Sequence, residues 1–219
     1  MSELKCTKKL LCLLLAGVLS IVLFAGCESE AEKMEKLEGP WRITLANSPD
    51  NTEALLKGLY FYDEEIALID LSSLKYDQII EFKADKTYSF FGDPQSTWAY
   101  MREFLAQAFT DMYAGRASIE SCYNVNFSDM SMEEFFQFYA ELYVLSDFDA
   151  LLDEFTDSVY DYAALAKPWE TGTYHIKGNK ILFKITGSSE EEYITYQITA
   201  QNTLELIFDD GTLVYQRAN

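Results

Sequence analysis

Apolar and polar residues alternate in short stretches through residues 172–219, the last 48 of the chain. Alternation with a period of two predicts strands that bury one face. Gly, Asn or Asp residues stand between the stretches, where tight hairpins need positive φ angles. The pattern predicts strands over 173–177, 180–186, 192–200, 203–208 and 212–217.

The same alternation occurs again nearer the start of the chain. It predicts a strand over 41–45 and a hairpin made of 78–83 and 87–91. Eight strands joined mostly by short turns are the number expected for a closed up-and-down barrel, in which no strand edge is exposed. We therefore predict a mainly β fold with an α insertion (α+β), in which an eight-stranded antiparallel up-and-down barrel carries a helical insert.

Residues 94–167 have helical spacing and contain no alternating stretch. Apolar residues on one face predict a helix over 97–113. The sequence Ser131-Met132-Glu133-Glu134 is a capping box that predicts a second helix, and Asp147 caps a third whose apolar pattern continues to Ala166. We predict that this insertion packs across one mouth or one wall of the barrel. The alternative is a small independent helical subdomain.

Residues 1–26 have the composition of a secretory signal. Three lysines precede an apolar run over 10–24, which is shorter than the roughly 20 residues of a spanning helix. The run ends in Leu23-Phe24-Ala25-Gly26-Cys27, which resembles a bacterial lipobox. The resemblance implies cleavage before Cys27 and lipidation of that residue. We therefore expect an extracytoplasmic protein that a lipid anchors to the bacterial cell membrane. An uncleaved N-terminal anchor is the alternative and gives the same location.

Residues 27–38 are charged and lack an apolar pattern, which predicts a tether between lipid and barrel. From residue 27 onward the chain has 14 Lys and Arg against 35 Asp and Glu, a formal net charge of −21. This charge argues against nucleic acid and anionic lipid head groups as partners.

Three features together resemble a lipocalin-like (calycin) protein: Gly39-Pro40-Trp41 at the first strand, the eight strands, and Arg217 in the last strand. In lipocalins a basic residue of the final strand packs over the Trp of the Gly-x-Trp motif and closes the base. The resemblance implies this pairing for Trp41 and Arg217. It covers a barrel domain over 39–219, interrupted at about 94–167 by the helical insertion. The helical segment between the first two strands also departs from the family pattern.

Few residues point to catalysis. His175, the only histidine, alternates with apolar neighbours and is predicted to face outward. The acidic clusters 63–65, 190–192 and 209–210 lack the spacing of a calcium loop and are predicted to be solvated turns. Cys122 has no intrachain disulfide partner in the mature chain and is predicted to be a small buried residue. With no Walker loop, nucleophile elbow or dinucleotide fingerprint, we predict no catalytic residue, metal site or cofactor.

An eight-stranded barrel is either filled by side chains or holds one small ligand. Our first hypothesis is a non-enzymatic protein that binds a small apolar molecule inside the barrel. The second is a non-catalytic protein–protein interaction module of the cell envelope that uses the helical insertion. The third is an enzyme whose reaction no residue identifies. The residues predicted to contact a ligand are inward-facing aromatics: Tyr88, Phe90, Tyr174, Phe183, Tyr196, Phe208 and Tyr215.

Overall fold

A computed structural model describes residues 28–199 and 202–218. The predicted signal segment and Cys27 lie outside these residues. The described chain contains a closed antiparallel barrel of eight strands with helices inserted into it, which confirms the predicted fold class. The strands are β1 (Gly39–Ala46), β2 (Lys75–Phe82), β3 (Thr87–Gly92), β4 (Glu170–Lys177), β5 (Lys180–Ile185), β6 (Glu191–Ile198), β7 (Thr203–Phe208) and β8 (Gly211–Arg217).

Each strand of the barrel pairs with the next one in the sequence, and β8 pairs with β1 to close the ring. The closing register sets Trp41 opposite Arg217 and Arg42 opposite Gln216. We call the end with the β2–β3 and β4–β5 turns the base. The opposite end, with the β5–β6 and β7–β8 turns and both helical connections, is the mouth. Inward-facing apolar side chains form a continuous core from the base toward the mouth.

The segment before β1, which the sequence predicts to be a tether, contains a helix, α1 (Glu30–Leu37). Ser29 and Glu32 form a capping box that starts the helix. Leu37 is 0% exposed and belongs to the barrel core, and Trp41 Nε1 donates a hydrogen bond to the Leu37 carbonyl at 2.7 Å. Helix α1 covers the base of the barrel. The buried Leu37 side chain and the hydrogen bond from Trp41 hold it there.

The remaining helices lie in the two connections at the mouth end. The two predicted caps are present: Ser131 forms a capping box and Asp147 accepts from the Ala150 amide. The helix that Asp147 starts ends earlier than the apolar pattern predicts, because Tyr160 is extended and Asp161 caps a new turn. The helices are α2 (Pro49–Gly58), α3 (Asp63–Ile66), α4 (Pro94–Ala114), the 3-10 turn Arg116–Ser118, α5 (Glu120–Tyr123), α6 (Met132–Leu142), α7 (Phe148–Val159) and α8 (Tyr162–Leu165).

Helices α2 to α8 enclose a hydrophobic core of their own, separate from the barrel core. Phe109 is fully buried in it, and its ring centroid lies within 6.3 Å of those of four other aromatic rings. Both connections contribute to this core, so the segment between β1 and β2 folds with the larger insertion. We call the two together the helical block. All buried residues of both cores lie between residues 37 and 215, within the described chain.

The helical block packs against a wall of the barrel, as one of the predicted arrangements requires. Helix α4 contacts β2, and the outward-facing residues Asp77 and Ile79 of that strand are buried. Arg42 on β1 lies within salt-bridge distance of Asp77 and Asp93, next to the start of α4. Among the described residues, no helix is long and apolar enough to cross a bilayer.

Candidate ligand-binding site

A cavity of about 530 Å³ opens at the mouth of the barrel. Its volume lies within the range of small-molecule sites, about 300–1,000 Å³. The cavity is not covered by the helical block, because no residue of 93–169 lines it. The lining is mostly apolar and comes from all strands from β2 to β8 and from the β5–β6 turn. The lining residues are Gln78, Tyr88, Phe90, Glu170, Phe183, Ile185, Glu190, Glu191, Glu192, Ile194, Leu206, Phe208, Leu213 and Tyr215.

The structure brings five of the seven predicted ligand contacts together in this cavity. They are Tyr88, Phe90, Phe183, Phe208 and Tyr215. The other two, Tyr174 and Tyr196, lie toward the base and do not line it. The Tyr174 hydroxyl donates to the Lys83 carbonyl in the β2–β3 turn at 3.1 Å, and Tyr196 lies beside α1. Alternation places all seven on the inner face but does not distinguish the filled base from the open mouth.

Aromatic rings form the floor of the cavity. The Tyr88 ring meets the Phe183 ring edge to face, with centroids 4.9 Å apart, and meets Phe90 at 5.8 Å. Gly172 on β4 gives the Tyr88 ring its space, since a Cβ there would lie 2.6 Å from Tyr88 Cε1 and 2.2 Å from the Lys184 carbonyl oxygen. Below this floor, Phe82 packs against Tyr174 and Phe183 and fills the barrel.

Two buried phenols place polar groups among these apolar walls. The Tyr88 hydroxyl donates to Glu170 Oε1 at 2.9 Å, and the Tyr215 hydroxyl donates to Gln78 Oε1 at 3.2 Å. Burial raises the pKa of both tyrosines, and the carboxylates of Glu170 and then Glu192 raise that of Tyr88 further. Both phenols therefore stay protonated at neutral pH and act as hydrogen-bond donors.

Carboxylates line one side of the opening, between β4 and β6. Glu170 shares the inward face of β4 with Tyr174, and Glu192 shares the inward face of β6 with Ile194 and Tyr196, since residues two apart in a strand point the same way. Glu190, in the turn before β6, also lines the cavity. Sequence reasoning missed these residues as a site. The signal was available, because the alternation of both strands places a glutamate at the inward position nearest the mouth.

Trp41 and Arg217 meet at the base, at the end opposite the cavity. The Arg217 guanidinium carbon lies 4.0 Å from the Trp41 ring centroid. The same side chain donates to the backbone carbonyls of Lys36 and Glu38, where α1 joins β1. These contacts close the base, so a small molecule has access to the barrel interior through the mouth.

The other residues considered for chemistry lie apart from the cavity. His175 is exposed on the outer face of β4. Cys122 is half-buried in α5, and burial with the nearby Glu64 carboxylate raises the pKa of its thiol. In the part of the chain that the structure describes, no group of three His, Cys, Asp or Glu side chains is placed to hold a metal ion.

The prediction of solvated acidic turns is wrong for Glu65. This side chain is 1% exposed, inside the helical block. It accepts hydrogen bonds from the Tyr123 and Tyr139 hydroxyls and from the Tyr62 amide. Its neighbour Glu64 is exposed, as predicted. Glu65 turns inward because it is the third residue of α3 and reaches back to cap it, which also brings it to the two phenols.

Comparisons of the chain with protein-family models, with curated proteins and with solved structures returned no match. The closed eight-stranded barrel is compatible with a lipocalin-like fold. Its mouth offers an apolar cavity of ligand size with a carboxylate rim.

Proposed function

We propose that this protein is a lipid-anchored, extracytoplasmic lipocalin-like protein that binds a small apolar molecule in the mouth of its barrel, without catalysing a reaction. The observation that carries the proposal is the cavity of about 530 Å³ lined by Phe90, Phe183, Leu206 and Phe208. Moving an apolar ligand from water onto such walls contributes about 25 cal/mol per Å² of apolar surface buried. The closed base and open mouth suit a molecule that enters from one side.

The position of α1 supports an anchor at the N-terminus. Only Glu28 and Ser29 separate Cys27 from this helix, which covers the base. A lipid on Cys27 would therefore hold the protein by its base and leave the mouth accessible. Metabolic labelling with an alkyne fatty acid tests the anchor. We expect labelled wild-type protein in the membrane fraction and no label on Cys27→Ser. Unlabelled wild-type protein would contradict a lipid anchor and favour an uncleaved segment.

Fluorescence of N-phenyl-1-naphthylamine, a neutral apolar probe, tests ligand binding. A matched pair of variants on β8 locates the site: Leu213 lines the cavity, whereas its neighbour Val214 is exposed on the outer face. We expect wild type and Val214→Trp to bind the probe and Leu213→Trp to lose it, because an indole at 213 fills the mouth. Far-ultraviolet circular dichroism checks that both variants are folded. A wild type that takes up no probe would contradict the proposal.

A second candidate is an interaction module of the cell envelope. The observation that favours it is an apolar groove of about 640 Å³ in the helical block, between α2 and α7. Two large apolar residues stand at or next to its rim, Tyr60 (80% exposed, φ 67°) and Val144 (91% exposed, φ 62°). A positive φ is costly for a β-branched residue, and such strain accumulates at functional positions. The occupant would be an apolar side chain of another envelope protein.

Photocrosslinking in intact cells distinguishes this second candidate from the first. A photoreactive amino acid at position 60 samples the groove, and the same residue at Tyr193, exposed on the outer barrel wall, is the control. One discrete crosslinked product that forms only at position 60 would favour the interaction module. Equal, diffuse labelling at both positions would contradict it.

A further inference from the structure

We propose that the ligand of the barrel mouth is an amphiphilic cation, with an apolar body among the aromatic rings and an ammonium or guanidinium group at the carboxylate rim. The inference rests on the proposed ligand-binding function and specifies the charge of the ligand. Glu170 on β4 and Glu192 on β6 would bind the charged group.

Glu170 and Glu192 occupy inward positions of their strands. Strand alternation points both side chains toward the interior, where a barrel in water ordinarily places apolar residues. Glu192 lies opposite Phe183 in the β5–β6 register, and Glu170 lies opposite Phe90 in the β3–β4 register. Each carboxylate therefore neighbours an aromatic wall of the cavity. Both carboxylates also line the opening through which an apolar ligand would reach these walls.

In the described chain, most carboxylates of the cavity lining lack a compensating charge. No Lys, Arg or His belongs to the described residues that line the cavity. The nearest lysine in the strand order, Lys184, points outward on β5 and pairs there with Glu191, with Nζ and Oε1 3.3 Å apart. No ion pair to Glu170, Glu190 or Glu192 is formed within the described chain. Of the four glutamates that line the cavity, only Glu191 is therefore paired with a cation, and the charges of the other three are uncompensated.

The Glu170 carboxylate can accept further hydrogen bonds from a ligand. Within the described residues Glu170 accepts one hydrogen bond, from the Tyr88 hydroxyl. An ionised carboxylate can accept about four, so Glu170 retains capacity for N–H donors. The Tyr88 and Tyr215 hydroxyls already donate to Glu170 and to Gln78. The polar groups of the mouth thus offer acceptors to a ligand more than donors, which matches an ammonium or guanidinium group and not a carboxylate.

The net negative charge of the chain also favours a cationic ligand. At −21 from residue 27 onward, the protein repels fatty acids and other anionic amphiphiles before they reach the mouth. A neutral ligand would gain at most hydrogen bonds at the rim, without attraction between opposite charges. A cation gains attraction at long range and contact with carboxylates at the opening, where apolar walls on one side weaken solvent screening.

Three probes with the same apolar body test the charge: decylammonium, decanol and decanoate. They are titrated by calorimetry into the chain from residue 28 onward, which includes the barrel and the helical block as the structure describes them. At an ionic strength of about 0.01 M we expect decylammonium to bind about tenfold tighter than decanol, and decanoate to bind more weakly than both. At about 1 M, where the Debye length is about 3 Å, the preference for the cation should largely disappear.

Charge-neutralising variants locate the effect. Glu170→Gln combined with Glu192→Gln should remove most of the preference for decylammonium over decanol. Glu205→Gln, on the outer face of β7 and outside the cavity lining, is the control and should keep the full preference.

The outcomes separate this inference from the proposed function. Equal affinity for decylammonium and decanol in wild type, or a cation preference that the double variant retains, would overturn the cationic ligand and leave apolar binding intact. If none of the three probes binds, the proposed function fails together with the inference.

Discussion

The guanidinium carbon of Arg217 lies 4.0 Å from the centroid of the Trp41 ring, where the last strand of the barrel meets the first. Trp41 is fully buried, and its Nε1 donates to the carbonyl of Leu37 at 2.7 Å. Arg217 also donates to the carbonyls of Lys36 and Glu38. One side chain therefore joins β8, β1 and the end of α1, and closes the base.

Arg217→Ala should lower the free energy of unfolding by about 2–3 kcal/mol, since it removes a cation–π contact and hydrogen bonds from a charged donor. Arg217→Lys should fall between wild type and Ala, because an ammonium cannot serve the ring and both carbonyls at once. Urea unfolding measures the difference. Lys184→Ala, which removes an exposed ion pair, is the control and should change stability by about 0.5 kcal/mol or less. Equal effects of Arg217→Ala and the control would contradict the closure.

Leu37→Ala tests whether α1 belongs to the barrel. Because Leu37 is fully buried in the barrel core, its truncation should cost about 2–4 kcal/mol. The control is Glu35→Ala at an exposed position of the same helix, which should be nearly neutral. Urea unfolding of both variants gives the comparison. If Leu37→Ala is as harmless as Glu35→Ala, α1 is the tether that the sequence predicts.

The base of the barrel also shows which features of the fold could be predicted from the sequence. The pairing of Trp41 with Arg217 follows from a motif at one end of the chain and a basic residue at the other. The barrel itself is visible because strands with one buried face alternate, and its turns carry Gly, Asn and Asp. Helix α1 is not visible, because Met34 and Leu37 are the only large apolar residues in it and its stability depends on contacts with the barrel.

The ligand-binding site could be predicted only in part from strand alternation. The inward aromatics follow from alternation, but the depth at which side chains stop filling the barrel depends on three-dimensional packing. Glu170 and Glu192 stand at strand ends, where a charged residue suggests a solvated turn. The inward positions of Gly172 and Ile194, two residues further along the same strands, indicate that both glutamates face the opening.

Glu65→Ala should destabilise the helical block by about 3–5 kcal/mol, because it leaves the hydroxyls of Tyr123 and Tyr139 unpaired in a buried core. Glu65→Gln should cost less, since it keeps an acceptor oxygen of the same size. The loss of helical circular dichroism in urea measures the effect. Glu64→Ala, at the exposed neighbour, should be nearly neutral. A neutral Glu65→Ala would contradict the role of the carboxylate as a shared acceptor.

Alkaline pH should destabilise the protein steeply. Burial raises the pKa of Tyr143 in the folded state to about 12, and the Glu65 carboxylate contributes. In the unfolded chain a tyrosine has a pKa of about 10, so the unfolded state loses its protons first. The stabilising effect is fully present below about pH 10 and is lost as pH rises toward the folded-state pKa. Burial also raises the pKa of eight other tyrosines: Tyr88, Tyr123, Tyr139, Tyr160, Tyr162, Tyr174, Tyr196 and Tyr215.

Ultraviolet absorbance of the phenolate, recorded with circular dichroism over the same pH range, measures this dependence. We expect a first group of tyrosines to ionise while the protein is folded and the buried group to ionise only as it unfolds. Denaturant-unfolded protein is the control and should show one transition. A single transition in the folded protein, with no loss of structure, would contradict the burial of these phenols.

Native mass spectrometry of residues 28–219, purified without detergent from a cell extract, tests the central claim most directly. The spectrum is compared with that of the same sample after denaturation and refolding, and with that of Leu213→Trp. We predict a discrete extra mass on the wild-type protein that denaturation removes and that Leu213→Trp does not carry. A bare protein mass in every sample, together with no uptake of N-phenyl-1-naphthylamine, would contradict ligand binding in the barrel mouth.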